Sequence, residues 1–135
     1  MKTKSIISSI LILCFLSLHS CGDSFLKKQL KLSVTMINRT TPMMLDEITR
    51  LDNAEYIPEK TLKYNYTIVT LSKEDIFDST AFEESIRENL IDGVRKNFQL
   101  KTFKKYEVIF IYSYKDKNGE LIKDFTITKK DYNEE

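Results

Sequence analysis

The sequence has almost no histidine or cysteine, and what it has lies at the amino end. Of 135 residues, one is histidine (His19) and two are cysteines (Cys14 and Cys21), and tryptophan is absent. From Gly22 onward the chain therefore has no imidazole and no thiol. This excludes a Cys–His nucleophile pair, a Ser-His-Asp triad and a cysteine- or histidine-based zinc site there. With three glycines in all, the chain also lacks a glycine-rich phosphate loop.

The first 21 residues have the layout of a secretory signal. Lys2 and Lys4 come first, and an apolar block of 13 residues follows from Ile6 to Leu18. A membrane-spanning helix needs about 20 residues, so this block suits a cleaved signal better than a permanent anchor. Cleavage before Cys21 would leave leucine at the −3 position, where the ordinary signal peptidase requires a small residue.

The residues around the cleavage point resemble the signal of bacterial lipoproteins. Leu18, Ser20 and Cys21 follow the pattern Leu-x-small-Cys, with His19 in place of the usual small or hydroxylated residue. The resemblance implies that the thiol of Cys21 accepts a lipid. Several acyl chains would hold the protein permanently on a membrane, since each buried methylene contributes about 0.8 kcal/mol. The alternative is a plain secreted protein or one with a single anchor.

The rest of the chain is predicted to be one domain behind a short tether. Residues 1–20 form the signal peptide, residues 21–30 the lipidated cysteine and its tether, and residues 31–135 a single domain. Loss of the first two lysines lowers the basic residues from 21 to 19 against 20 acidic ones. This near-neutral balance gives no electrostatic reason to expect nucleic acid. Gly22 stands where an aspartate would resemble an inner-membrane retention signal, which favours the outer membrane.

Two segments have the periodicity of helices. In residues 25–38 a helical stripe competes with a strand-like alternation, and we predict a helix. The stripe consists of Leu26, Leu30, Val34 and Ile37, and the alternation of Leu30, Leu32, Val34 and Met36. Residues 75–96 form the stronger helix, because apolar residues recur at four-residue steps. Its expected buried stripe is Phe82, Ile86, Leu90 and Val94.

Two further segments have the pattern of β-hairpins. Residues 43–71 contain two arms around a turn at residues 57–60, with Asp52-Asn53 as a candidate bulge in the first arm. In the second hairpin, Asn118-Gly119 is a two-residue turn signal. Counting outward from that turn pairs Lys117 with Glu120, Tyr114 with Lys123, Tyr112 with Phe125, and Phe110 with Ile127. The element order predicts an α+β fold, in which two helices pack on one face of a four-stranded antiparallel sheet.

Asp46 and Thr49 are the candidate binding residues. A resemblance to a group of small bacterial envelope proteins singles them out, and it is carried by Asn38-x-x-x-Pro42-x-x-x-Asp46-x-x-Thr49-x-Leu51 and by Tyr64-x-Tyr66. The resemblance implies no activity. The acidic residues near Asp46 lack the spacing of a calcium loop, and we expect no metal or cofactor. Asp46 could equally fix a turn by bonding the local backbone.

Two groups of lysines lie outside any recognised motif: Lys27, Lys28 and Lys31 close to Cys21, and Lys101, Lys104 and Lys105 around Phe103. The first group could attract anionic lipid headgroups, and the second could suggest nucleic acid. We interpret them as a solvated helix face and a solvated loop, because an exported protein does not meet nucleic acid.

Together these observations predict a non-enzymatic envelope lipoprotein whose domain binds another envelope protein. The alternative is a small-ligand binder or an enzyme that uses aspartate, glutamate and tyrosine. A deep pocket with converging carboxylates and tyrosines would favour the alternative. An exposed apolar patch or an unpaired strand edge would favour the protein-binding hypothesis.

Overall fold

The computed structural model describes residues 20–75 and 80–133. The expected signal core, residues 6–18, lies outside the described residues. No helix in the described ranges is long and apolar enough to cross a membrane. The helices and strands in these ranges are α1 (Ser20–Asn38), β1 (Met43–Met44), β2 (Thr49–Ile57), β3 (Thr61–Ile68), α2 (Thr80–Lys96), α3 (Lys101–Lys105), β4 (Ile109–Lys115), β5 (Leu121–Ile127) and α4 (Lys129–Asn133).

The described strands form one mixed sheet in the order β1-β2-β3-β4-β5. The α+β class is confirmed, but the expectation of four antiparallel strands is wrong in two respects. β1 adds a short edge strand beside β2. The two hairpins meet through a parallel pair, β3 and β4. The connection between these two strands carries α2 and α3, and parallel neighbours require a long crossover of this kind.

The register of the second hairpin follows the expected pairs, but its turn differs. Tyr114 pairs with Lys123, Tyr112 with Phe125, and Phe110 with Ile127. The turn has three residues, because Asp116 donates its backbone N–H to the Glu120 carbonyl at 2.9 Å. Gly119 has a φ of 85°, as expected for the left-handed residue of a three-residue hairpin turn. The expected pair of Lys117 and Glu120 is therefore not formed.

The buried carboxylate of Asp116 explains this turn. It accepts hydrogen bonds from the backbone N–H groups of Asn118 and Glu120, both at 2.8 Å, and of Lys73 at 3.0 Å. Burial acts to raise the pKa of Asp116, but these donors outweigh it and hold the pKa below its ordinary value. The side chain thus stabilises a three-residue turn in place of the two-residue turn that an Asn-Gly pair alone predicts.

The first hairpin has the expected turn and bulge. Glu59 and Lys60 both have positive φ, 69° and 68°, between β2 and β3. The register shifts between Leu51 and Asn53, which leaves Asp52 as the extra residue of a bulge. Leu62, Tyr64 and Tyr66 share the face of the sheet that the helices cover, since that face holds the hydrophobic core.

α1 shows that the segment expected to be a tether is folded. The helix begins at Ser20 and therefore includes all of residues 21–30 as well as the predicted helix. Leu26 and Leu30 are 1% and 0% exposed. Leu32 and Met36 lie outside the core, so the helical stripe is the correct pattern and the strand-like one is wrong. The core that α1 joins consists of Leu26, Leu30, Leu62, Val94, Phe103, Val108, Phe110, Ile127 and Tyr132.

The remaining helices close the same face of the sheet. In α2, Val94 is buried and Leu90 packs against the core, as expected, whereas Phe82 falls outside the described side chains. Lys101, Lys104 and Lys105 lie in α3, so the segment expected to be a loop is a short helix. In α4, the Tyr132 hydroxyl donates to the Val108 carbonyl at 3.0 Å. This bond ties the carboxyl end of the described chain to the start of β4.

Candidate functional site

A short hairpin at the edge of the sheet exposes several apolar side chains. It runs through β1 and the turn into β2, and we call its apolar residues the edge-hairpin patch. Each is between 41% and 50% exposed, and the set is Met43, Met44, Leu45 and Ile48. A concentration of exposed apolar side chains in so short a segment is typical of a surface that binds another molecule.

Asp46 holds this hairpin in shape. Its Oδ1 accepts hydrogen bonds from the backbone N–H groups of Ile48 at 2.9 Å and Thr49 at 2.7 Å. Leu45 donates its N–H to the Thr49 carbonyl at 2.9 Å. The bonds from Ile48 and Thr49 lower the pKa of Asp46, so its carboxylate is charged at neutral pH. Asp46 and Thr49 thus lie in the hairpin and bond to its own backbone, and a direct binding role for them stays a prediction.

A stack of tyrosines lies on the sheet next to this hairpin. The ring centroids of Tyr66 and Tyr114 are 5.0 Å apart, and those of Tyr64 and Tyr112 are 5.3 Å apart. Burial raises the pKa of Tyr64 to about 12. Burial also raises the pKa of Tyr114, and the nearby Asp46 carboxylate adds to that effect. The negative charge of the hairpin turn is therefore close to the outer end of the stack.

The stacked tyrosines are poorly suited to acid–base chemistry. A general base works best with a pKa near the working pH, and burial moves the pKa values of Tyr64, Tyr66 and Tyr112 upward, away from neutrality. Large, partly buried aromatic rings with a polar tip instead suit recognition of another surface. Tyr66 is buried, whereas Tyr114 is partly exposed and close to Asp46, so only the Tyr114 end of the stack borders the edge-hairpin patch.

Two of the acidic residues near Asp46, Asp52 and Glu55, are engaged elsewhere on the sheet. Asp52 pairs with Arg50 and accepts a hydrogen bond from the Thr67 hydroxyl, both at 2.5 Å. Glu55 accepts one from the Asn65 side chain. Within the described ranges, no group of three or more aspartate, glutamate, histidine or cysteine side chains is arranged to hold a metal ion. These carboxylates order the sheet surface and do not converge on a common point.

Comparison by sequence identifies the family. Residues 24–122 match the family described as Domain of unknown function (DUF8479), and the chain belongs to that family. The matched range includes the edge-hairpin patch and the stacked tyrosines. No curated protein matches the chain.

Comparison by structure finds the same fold in three solved structures. A crystal structure described as that of a secreted protein from Pseudomonas aeruginosa has a TM-score of 0.69 at 17% identity, covering 82% of this chain and 96% of that chain. The type II secretion system pilotin AspS from Vibrio cholerae has a TM-score of 0.64 at 11% identity, covering 84% and 97%. The type 2 secretion system pilotin EpsS from Vibrio vulnificus has a TM-score of 0.68 at 7% identity, covering 86% and 99%. Similarity at these identities establishes a shared fold.

Proposed function

We propose that this protein is a lipid-anchored accessory protein of the bacterial envelope that binds a component of a type II secretion apparatus. The observation that carries the proposal is the fold, which two type II secretion pilotins share over 97% and 99% of their length. The proposed role is non-enzymatic, in line with the absence of histidine and cysteine after Cys21 and with the raised pKa values of the stacked tyrosines.

The position of Cys21 supports an anchor that acts directly on the folded domain. Cys21 lies at the start of α1, and Leu26 in the same helix is part of the core. A lipid on the Cys21 thiol would therefore hold the domain against the membrane surface without a flexible spacer. Gly22 after the cysteine favours the outer membrane as the site of this anchor.

The edge-hairpin patch is the proposed surface for the partner protein. β1 has only two residues and pairs with only a small part of β2, so within residues 20–75 and 80–133 most of this sheet edge has no neighbouring strand, although the Asn38 side chain bonds it at Ala54. Exposed strand edges beside apolar side chains are a common means of binding an extended peptide segment. We assign Asp46 and Thr49 to this surface as residues that fix the conformation of the hairpin.

The anchor is tested by metabolic labelling with a clickable fatty acid in the native host. The wild-type protein should carry the label, and Cys21→Ser should lose it because the acceptor thiol is gone. Absence of label from the wild-type protein, or label that persists in Cys21→Ser, would refute the proposed lipidation.

The partner surface is tested by site-specific photo-crosslinking in the same host. A photoreactive residue at Leu45 should form a light-dependent adduct with a component of the type II secretion apparatus. Leu121 is the matched control, because it is also about half exposed but lies on the opposite edge strand, β5. The proposal is wrong if Leu45 gives no such adduct or if both positions give the same one.

A further inference from the structure

The end of the protein that carries Cys21 is rich in lysine. Two shallow concavities lie there, of about 420 Å³ and about 300 Å³. Among the described residues that line them are six lysines and three carboxylates: Lys27, Lys60, Lys101, Lys104, Lys105 and Lys129 against Asp23, Glu59 and Glu107. This excess of positive charge is local, since acidic residues slightly outnumber basic ones from Cys21 onward.

Direct contacts join these lysine-bearing segments to the start of α1. The ring of Tyr106, which follows α3, is 6.4 Å from the ring of Phe25. A Cβ atom built on Gly22 would lie 3.9 Å from Cε1 of Tyr106. Lys60 is joined to the same end, because its carbonyl accepts the Ile109 N–H at 2.9 Å. The segments that carry these lysines therefore lie at the same end of the domain as the start of α1, where the residue that we propose to be lipidated is located.

Not all of these lysines are available to a ligand. Lys104 Nζ donates to the carbonyls of Val94 and Arg95, at 3.0 and 2.6 Å, and so caps the end of α2. Lys129 pairs with Glu107. Lys27, Lys101 and Lys105 are exposed and form no salt bridge within residues 20–75 and 80–133. We call these three residues the anchor-end lysines.

An exposed aromatic side chain lies at the same end of the protein. Phe25 is 47% exposed although its ring contacts Tyr106. An exposed ring at a lysine-rich end suits the boundary between lipid headgroups and acyl chains, where aromatic side chains insert and lysines meet phosphate. Phe25 lies only one helical turn from Cys21, so a lipid there would keep Phe25 near the membrane, and docking of the lysines on headgroups would bring its ring to that depth.

We infer that the anchor-end lysines and Phe25 form a docking surface for anionic phospholipid headgroups. This inference rests on the proposed lipid anchor, which supplies the attachment, while the docking surface sets the orientation of the domain. Each lysine close to an anionic surface contributes about 1 kcal/mol, which corresponds to about a five-fold factor in the ratio of docked to undocked protein. The domain would then stand with the anchored end of α1 on the membrane.

The absence of tryptophan from the natural sequence provides a direct test. The lipidated full-length protein carrying Phe25→Trp is reconstituted into vesicles whose lipids are brominated on the acyl chains. One set contains phosphatidylcholine alone, and the other contains equal parts of phosphatidylcholine and phosphatidylglycerol. We expect the fluorescence of the introduced tryptophan to be quenched strongly only in the anionic vesicles, and the quenching to weaken in high salt. Tyr106→Trp serves as a second reporter, and Leu45→Trp, at the edge hairpin, should stay unquenched.

Removal of charge identifies the lysines responsible. Combining Lys101→Gln with Lys105→Gln should lower the docked-to-undocked ratio about 25-fold. The matched control combines Lys73→Gln with Lys117→Gln, two exposed lysines near the second-hairpin turn, and should leave the quenching unchanged.

The outcomes separate docking from anchoring, because flotation of the vesicles reports the anchor independently. Protein that floats but shows equal quenching with neutral and anionic lipids, or quenching insensitive to the Lys101 and Lys105 substitutions, would overturn the docking inference alone. Protein that does not float would refute the proposed anchor and the docking surface with it. Quenching that needs phosphatidylglycerol and is lost when Lys101→Gln is combined with Lys105→Gln would establish the surface.

Discussion

The substitution Leu30→Ala tests whether the segment that follows Cys21 is part of the folded domain. A flexible tether would tolerate this change without loss of stability. In the structure, however, the Leu30 side chain is 0% exposed and belongs to the core. Truncation of a buried leucine costs about 2–5 kcal/mol, because apolar contacts are lost and a cavity remains. Single domains are stable by about 5–15 kcal/mol, so the loss should be a large part of the total.

The assay is urea denaturation of the purified protein in detergent, followed by far-UV circular dichroism. With a typical urea slope for a small domain, the expected loss moves the midpoint by about 1–3 M. Leu32→Ala is the matched control, since Leu32 lies in the same helix but is 52% exposed, and its cost should stay within about 0.5 kcal/mol. If the two variants unfold at the same urea concentration, α1 does not pack as described and the tether interpretation is correct.

Individual contacts give three further predictions. Asn38→Ala removes the side chain that bonds both the N–H and the carbonyl of Ala54, at 2.7 and 2.9 Å, and should cost about 1–3 kcal/mol in chemical denaturation. Gly119→Ala should destabilise the fold by about 1 kcal/mol, because the backbone at Gly119 has a positive φ. Gly93→Ala should instead stabilise the fold by about 0.5–1 kcal/mol, since alanine favours a helix and the added methyl group meets no neighbouring atom. The pKa of Asp116 is lower in the folded protein than its ordinary value of 3.8. The charged carboxylate therefore stabilises the fold at pH values above 3.8, and this stabilisation is lost as the pH falls through the pKa of the folded state. In acid titrations monitored by circular dichroism, Asp116→Asn should therefore show a weaker loss of stability at low pH than the wild type.

Local sequence patterns were sufficient for the parts of the fold that depend on neighbouring residues. Phe110 and Tyr112 lie two residues apart, as do Phe125 and Ile127, so one register places all four side chains on the core face, and the structure has that register. The turn after Ile57 and the bulge at Asp52 also follow from local chemistry. In each case the partner strand lies within a few residues, so the pattern itself limits the pairing.

The arrangement of the two hairpins could not be predicted in the same way. β3 and β4 are separated by α2 and α3, and nothing in either strand specifies which edges meet or in which direction. Both orientations bury the same faces, so hydrophobic alternation does not distinguish them. The parallel pairing depends on how the crossover helices pack, which is a tertiary property. That pairing also places Tyr66 directly opposite Tyr114, which the sequence did not predict.

The candidate site shows the same division between local and tertiary information. Asp46 and its turn were identifiable, because an aspartate followed closely by threonine suits a side-chain-to-backbone bond. The exposure of Met43, Met44 and Leu45 could not be predicted, because apolar residues are usually buried. Only their position at the sheet edge, in the two-residue β1 and the turn after it, leaves these side chains uncovered. The run of three apolar residues after Pro42 was the one signal available in the sequence.

The geometry of α1 connects the proposed anchor with the proposed partner surface. Its 19 residues correspond to a length of about 28 Å, with Cys21 in the first turn and the edge hairpin following the last. The Asn38 side chain fixes that last turn to β2 through Ala54, so the helix cannot pivot independently of the sheet. Headgroups that hold the anchor-end lysines would therefore also set the height of the edge-hairpin patch above the membrane. Loosening the contact at Asn38 should weaken partner binding without altering the lipid anchor, since only the rigid connection between the two surfaces is lost.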